Sequence, residues 1–292
     1  MLKNHSLNAE TSLYCLIGSP VSHSLSPLMH NHAFRKLGLN AVYIAFNVED
    51  NKLGEAVKGL RALNIKGANI TIPHKTSVIK YLDTVDDTAL RIGAVNTIKN
   101  INGRLVGYNT DWEAAIELLK EKAGKLQGKN ALIIGAGGVA RAILYGLVKN
   151  SVNVSITNRT MDKARQLIVE LKKHVGEKIE CTALNPEKIR EKISDFQIII
   201  NATPLGMTPN INETPLNTDY LTGEIIVFDT VYNPLETLLI KKAKQQGSTV
   251  IEGYRMLVKQ GALSFKLWTG IEPPEKDMEK IVYMKLKGDL GE

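Results

Sequence analysis

Two groups of residues in this chain could do chemistry, and the more self-explanatory is a glycine turn. Gly135-Ala136-Gly137-Gly138-Val139-Ala140 fits GxGxxA, between an apolar run, Ala131 to Ile134, and a helical stretch, Val139 to Lys149. The first glycine allows a tight turn, the second lets the backbone approach a pyrophosphate, and Ala140 lets helix and strand pack closely. Free N–H groups and the positive helix end would hold the phosphates, so the spacing predicts a bound dinucleotide. The next strand ends Thr157-Asn158-Arg159-Thr160, without the acid that NAD-binding chains place there for the ribose hydroxyls. Arg159 offers a planar, permanently charged fork suited to a 2′-phosphate, and Lys163 lies one helical turn on. This favours NADP over NAD; a solvated surface arginine is the plain alternative. The loop Asn201 to Met207 follows the apolar run Gln197 to Ile200. Such a loop lines the ligand crevice of an open α/β sheet, although Pro204 and Gly206 could equally make an ordinary turn.

The second group is polar and lies in the first half. Ser22-His23-Ser24-Leu25-Ser26-Pro27 precedes a helix, with Ser26 expected as its N-cap and Pro27 as its first residue. A helix N-terminus fronted by two hydroxyls, Ser24 and Ser26, is also a seat for a carboxylate. Hydrolytic catalysis is disfavoured, because no GxSxG elbow accompanies the serine and histidine. In Asn69-Ile70-Thr71-Ile72-Pro73-His74-Lys75, strand alternation points Asn69 and Thr71 to one side. Lys75 is expected in the first turn of a helix opened by Pro73, where the dipole favours its neutral form and makes it a usable acid/base. A solvated lysine is the alternative. Asn96, and Asp111 at the start of another helix, complete the set; a carboxylate near Lys75 would orient it, whereas capping alone also explains Asp111. His30 and His32 face different sides of one helix, and no second ligand cluster accompanies them, so no metal is expected.

The elements that position these residues alternate between short apolar strands and helices, which predicts parallel sheets with covered faces. Strands are expected at Leu13 to Gly18, Ala41 to Val48 and Gly67 to Ile72, with helices from Ser26 to about Gly38 and from Leu53 to Leu63. A hairpin is expected around Asn102-Gly103. After the connector Glu121 to Asn130 the pattern becomes βαβ, with later strands near Ile179, at Gln197 to Asn201 and at Ile225 to Asp229. The chain closes on a helix, a strand and two further helices.

The bulk composition narrows the classes. At 292 residues with 43% hydrophobic and 23% charged content, the chain is globular and long enough for two cores. Its apolar runs are too short to span a bilayer, and Met1 to Ser12 reads as a polar tail and not a signal peptide. Two distant cysteines, Cys15 and Cys181, suit a reducing cytoplasm. The net charge of +7 is diluted by interleaved acids, and aromatics are only 5%, which argues against a nucleic-acid partner. A mildly positive chain attracts small anions.

Together the segments resemble the shikimate dehydrogenase family, from Gly18 to about Phe265. The motifs that carry this are Gly18 to Pro27, Asn69 to Lys75, Gly93 to Thr97, Asn109-Thr110-Asp111, Gly135 to Arg141, Asn158-Arg159-Thr160, Asn201 to Met207, and Gly253 with Met256 to Ala262. The resemblance implies an α/β fold of two domains. Residues 1–111 and 254–292 would form a discontinuous substrate domain with a mostly parallel sheet, and 112–253 a Rossmann-type NADP-binding domain. It further implies reversible NADP(H)-linked interconversion of 3-dehydroshikimate and shikimate. Ser24, Ser26 and Tyr232 would hold the substrate carboxylate, and Asn69, Thr71, Asn96, Asp111 and Gln260 the ring hydroxyls. Lys75 and Asp111 would be the catalytic pair. The cofactor would meet Gly135, Ala136, Gly137, Gly138 and Val139, then Asn158, Arg159, Thr160 and Lys163, and also Thr203, Thr230 and Gly253. An NAD-preferring quinate/shikimate enzyme, or a dinucleotide-binding regulator without turnover, remains an alternative, and a homodimer stays open. The pattern departs from the family at Trp112 and Thr230, where a small residue and a methionine are common.

Overall fold

A computed structural model describes residues 7–175, 181–183, 189 and 191–289. The elements begin β1 Ser12–Gly18, α1 Ser26–Leu37, β2 Ala41–Asn47, α2 Leu53–Ala62, β3 Gly67–Ile70, β4 Thr84–Val85, α3 Asp87–Ile92, β5 Thr97–Ile101 and β6 Arg104–Tyr108. They continue α4 Asp111–Ala123, β7 Asn130–Ile134, α5 Gly138–Lys149, β8 Asn153–Thr157, α6 Met161–Val175, β9 Cys181–Ala183, β10 Ile198–Asn201 and β11 Ile226–Asp229. The last are α7 Leu238–Gln245, β12 Thr249–Ile251, α8 Gly253–Thr269 and α9 Glu275–Lys287. The strand expected near Ile179 falls on residues outside those described. The chain divides into two compact units: one runs to Thr110 and resumes at Leu257, and the other spans Asp111–Met256.

In the first unit the sheet order is β2-β1-β3-β5-β6-β4. β1 pairs in parallel with β2 and β3, and β4 with β6, while β5 runs antiparallel to β3 and β6. The β5–β6 hairpin turns on Asn102 and Gly103, both at positive φ (53° and 88°), the conformation that an Asn-Gly pair adopts most readily. Cys15, Ile17, Ala68, Ile70 and Ile98 cover one sheet face and pack with Val57 and Leu60 of α2. Around α1 and α8 the filling is aromatic: Tyr14, Phe34, Tyr43, Phe265 and Trp268 are all buried.

Two local expectations are corrected here. Ser26 is the first residue of α1 and not its cap; Leu25 occupies the cap position and no side chain caps the helix. The Ser24 hydroxyl instead accepts the Ser26 N–H at 3.3 Å. After Pro73 no α-helix forms: turns run to Thr76, followed by a single 3-10 helix, Ser77–Tyr81. Lys75 is therefore not in the first turn of an α-helix, and the dipole argument for its chemistry does not hold.

The second unit is a doubly wound parallel sheet of order β12-β11-β10-β7-β8-β9. Its central strands β7 and β10 are covered on both faces, which explains their unbroken apolar runs. Read from β9, the order is 3-2-1-4-5-6 of the dinucleotide-binding halves, with the reversal between β7 and β10. The carboxyl ends of those strands are where such a sheet takes its ligand. Among the described residues, no helix is long and apolar enough to cross a membrane.

Candidate active site

The glycine turn sits at that reversal. Gly135 has φ 121°, which strongly favours glycine, and a Cβ there would lie 2.7 Å from the Ala202 carbonyl oxygen. The turn and the loop after β10 are thus in close backbone contact, so Asn201 to Met207 belongs with the glycine turn and is more than a connection. Gly137 differs. Its φ is −86°, and a Cβ built on it meets nothing within 4 Å among the described residues. The protein itself has no need of a glycine at this position; the open space suits a ligand. α5 begins at Gly138 with no acid in its first turn and no side-chain cap, leaving its end to an anion. These features fit a dinucleotide pyrophosphate. Gly137→Ala is accordingly expected to leave the melting temperature unchanged while weakening NADP binding in calorimetry. A drop in melting temperature with intact affinity would reverse the assignment.

Arg159 and Lys163 are exposed, and among the described residues neither side chain has a hydrogen bond or ion pair. Asn158 turns inward, its Nδ2 donating to the Thr160 carbonyl at 2.9 Å. Arg141, by contrast, is committed to Glu170 at 2.5 Å. A guanidinium with no protein partner at an acid-free strand end is what a 2′-phosphate requires. Thr203 donates from both N–H and hydroxyl to Asn201 Oδ1 (3.0 and 2.7 Å), and Thr230 N–H donates to the Asn201 carbonyl (3.0 Å). Gly253 lies against the Val231 carbonyl, where any Cβ would overlap it. Trp112 meets Tyr145 edge-on at 5.7 Å.

In the first unit the polar residues form a connected network. Asn69 Oδ1 accepts from the Tyr43 hydroxyl at 2.8 Å, while its Nδ2 donates to Asn96 O (3.2 Å), Thr97 Oγ1 (3.2 Å) and Ser264 Oγ (3.0 Å). Asn96 Oδ1 accepts the Thr110 N–H at 2.8 Å, and its Nδ2 reaches Thr110 Oγ1 at 2.9 Å and Gln260 Oε1 at 3.3 Å. α8 is thereby joined to β3, β5 and the turn that leads into Asp111. Both hydrogens of the Asn69 amide are spent on the protein, so toward a ligand only its oxygen is available, as an acceptor.

Lys75 is 9% exposed and Asp111 3% exposed, so neither is a solvated surface charge. The segment before Lys75 is pinned by Thr71 N–H to Ile17 O and by Ser19 N–H to Ile72 O, both 2.9 Å, and Lys75 O accepts from Val95 N–H at 2.7 Å. His74 is buried, with Nε2 2.6 Å from Val48 O.

Two residues with unusual environments were not anticipated. His30 is fully buried, and among the described residues neither ring nitrogen has a hydrogen-bond partner; it stacks on Tyr43 at 4.5 Å, and burial pushes it down to about 3. Asp229, also fully buried, is pushed up by burial to about 6, against the pull of hydrogen bonds from Thr237, Val231 and Asn201. Only their spacing in helical and strand patterns was visible beforehand, and that says "core" without saying which polar groups share it. No group of three or more metal-binding side chains exists among the described residues.

Comparison with known proteins matches these units to known ones. Residues 16–98 match the shikimate dehydrogenase substrate binding domain, 117–217 the shikimate / quinate 5-dehydrogenase model, and 253–283 the shikimate 5′-dehydrogenase C-terminal domain. A shikimate dehydrogenase (NADP(+)) of Methanocaldococcus jannaschii is 45% identical over 285 residues, covering 96% of this chain and 99% of the relative. A solved shikimate dehydrogenase in complex with NADP+ superposes with a TM-score of 0.90 at 44% identity, over 96% of this chain and 98% of that one. The enzyme from Thermus thermophilus, solved with NADP(H) and shikimate, has a TM-score of 0.83 at 37% identity, over 94% of this chain and 99% of that one. With its two sheets, its glycine turn and its polar network all inside the matched lengths, the chain belongs to the shikimate dehydrogenase family.

Proposed function

We propose that this chain is an NADP-dependent shikimate dehydrogenase, interconverting 3-dehydroshikimate and shikimate in aromatic amino-acid biosynthesis. The observation that carries this is the match to enzymes of that name over 96% of the chain, supported by the open space at Gly137 and by an Arg159 side chain that has no hydrogen bond or ion pair among the described residues.

In this reading the residue roles are as follows. Ser24, Ser26 and Tyr232 hold the substrate carboxylate, and Asn69, Thr71, Asn96, Asp111 and Gln260 hold the ring hydroxyls. Bound NADP supplies the hydride acceptor. Lys75 takes the proton from the reacting hydroxyl, or returns it in the reverse direction, and Asp111 orients it. The cofactor lies on Gly135 to Val139, with Asn158, Arg159, Thr160 and Lys163 at the 2′-phosphate and Thr203, Thr230 and Gly253 along its length. We place the enzyme in the cytoplasm without a nucleic-acid partner, and a homodimer is the assembly to test by sedimentation.

The test is formation of NADPH or NADH followed by absorbance, with shikimate and quinate each run against NADP and NAD. Shikimate with NADP should give the highest kcat/KM. Preference for quinate with NAD would replace this reading, and no turnover at all would favour a regulator. Arg159→Ala should raise KM for NADP by roughly ten- to a hundredfold, the worth of a charge-assisted contact, and leave KM for NAD nearly unchanged. Equal losses for both cofactors would remove the phosphate role.

A further inference from the structure

β10 and β11 are parallel neighbours, and their last residues, Asn201 and Asp229, are register partners. Both side chains are fully buried. Asp229 Oδ1 accepts from Asn201 Nδ2 at 2.9 Å and from Val231 N–H at 3.0 Å, and its Oδ2 accepts from the Thr237 hydroxyl at 2.6 Å. The bond to Asp229 fixes which way the Asn201 amide faces. Nδ2 points to Asp229 and to Leu205 O (3.2 Å), leaving Oδ1 to receive Thr203.

A buried carboxylate is costly, and an apolar residue would serve a strand end equally well for packing alone. What the carboxylate adds is a bridge between two loops: one from Asn201 to Leu205, the other from Asp229 to Thr237. The first loop presents the Ala202 carbonyl on which Gly135 rests, and the second presents the Val231 carbonyl on which Gly253 rests. Both of these backbone approaches at the carboxyl end of the sheet therefore lead back to one side chain.

We propose that Asp229 is a positioning residue for the cofactor: through Asn201 it holds the loop on which the glycine turn rests, and through Val231 and Thr237 the loop on which Gly253 rests, without touching the ligand itself. The assignment rests on reading this unit as the NADP site.

The test is calorimetric titration of NADP+ into the full-length wild type and into Asp229→Ala, Asp229→Asn and Asn201→Ala, with melting temperature measured alongside. Asp229→Ala should raise the dissociation constant roughly tenfold, and Asn201→Ala should do the same, because each severs the same bridge. In Asp229→Asn the remaining oxygen can accept both N–H groups while the Thr237 hydroxyl reorients, so affinity should return to within about threefold of wild type. The losses of Asp229→Ala and Asn201→Ala should not add in the double variant. Folded Asp229→Ala or Asn201→Ala protein binding NADP+ within about twofold of wild type would overturn the proposal, even if its melting temperature had dropped. So would an Asp229→Asn variant as impaired as Asp229→Ala. Should Asp229→Ala fail to fold, Asn201→Ala and Asp229→Asn decide by the same criteria. A wild type that does not bind NADP+ would instead overturn the cofactor reading, and this proposal with it.

Discussion

Lys75→Ala should lower kcat by about 10²–10⁴-fold, the usual worth of a positioned general acid or base, with the NADP dissociation constant unchanged. The expectation rests on a lysine at 9% exposure whose backbone is pinned through its own carbonyl. Long, flexible side chains normally stay in water, and a lysine buried to this degree is the group proposed to handle the proton. Single-turnover kinetics together with NADP+ calorimetry separate chemistry from binding. Lys75→Arg is the stricter control, since it keeps the charge and much of the length but cannot release a proton near neutrality. It should be nearly as slow as Lys75→Ala. If either variant retains wild-type kcat, Lys75 has no part in the proton transfer. A rise in substrate KM alone, with kcat intact, would make it a binding group.

Acid stability should depend on His30 to a comparable extent. In the folded chain burial holds this imidazole down at about 3, whereas in the unfolded chain it titrates near its ordinary 6.5. Between those values the unfolded state binds one proton more than the folded state. Stability then falls as pH falls, by about 1.4 kcal/mol per pH unit below about 6.5. Asp229 works in the opposite sense. Its carboxyl is raised to about 6 from 3.8, so the folded state holds the extra proton in between and gains stability as pH falls through that window. The two slopes offset each other in the wild-type curve. The His30 contribution therefore has to be read as a difference, from urea unfolding of wild type and His30→Leu at about pH 6, 5 and 4. The stability of wild type relative to the variant should shrink by about 1.4 kcal/mol for each of those units. Parallel curves would show that His30 is protonated as readily in the folded chain as in the unfolded one.

The elements that could be read directly are those whose cause lies within a few neighbouring residues. The Asn102-Gly103 hairpin, the Gly38 stop and the glycine turn each follow from local backbone preferences, and so do the unbroken apolar strands of the second sheet. α3 escaped notice because six residues are too few for a helical period. Its signals were Asp86, whose carboxylate accepts from the N–H groups of Thr88 and Ala89, and Gly93 in the left-handed region. Ser26 misled because a serine before a proline is an N-cap in most settings; here the helix starts one residue earlier. The helix expected after Pro73 failed for a related reason: tertiary backbone bonds from Ile17, Ser19 and Val95 hold that segment in turns.

The sequence alone thus determined the glycine turn and the residue types of the polar set, and set the expectation of a phosphate at Arg159, because each depends on short spacing. Only the tertiary structure decided how those polar groups are used. Asn69 meets Ser264 across 195 residues and Asn201 meets Asp229 across 28, joined by strand order and by an α8 that packs beside β3 and β5. Hydrogen bonds between side chains are chosen by three-dimensional proximity, and local patterning carries no information about them. The same holds for burial: it places His30 and Asp229 out of water, and only the folded core reveals that, among the described residues, one has no hydrogen-bond partner while the other has three.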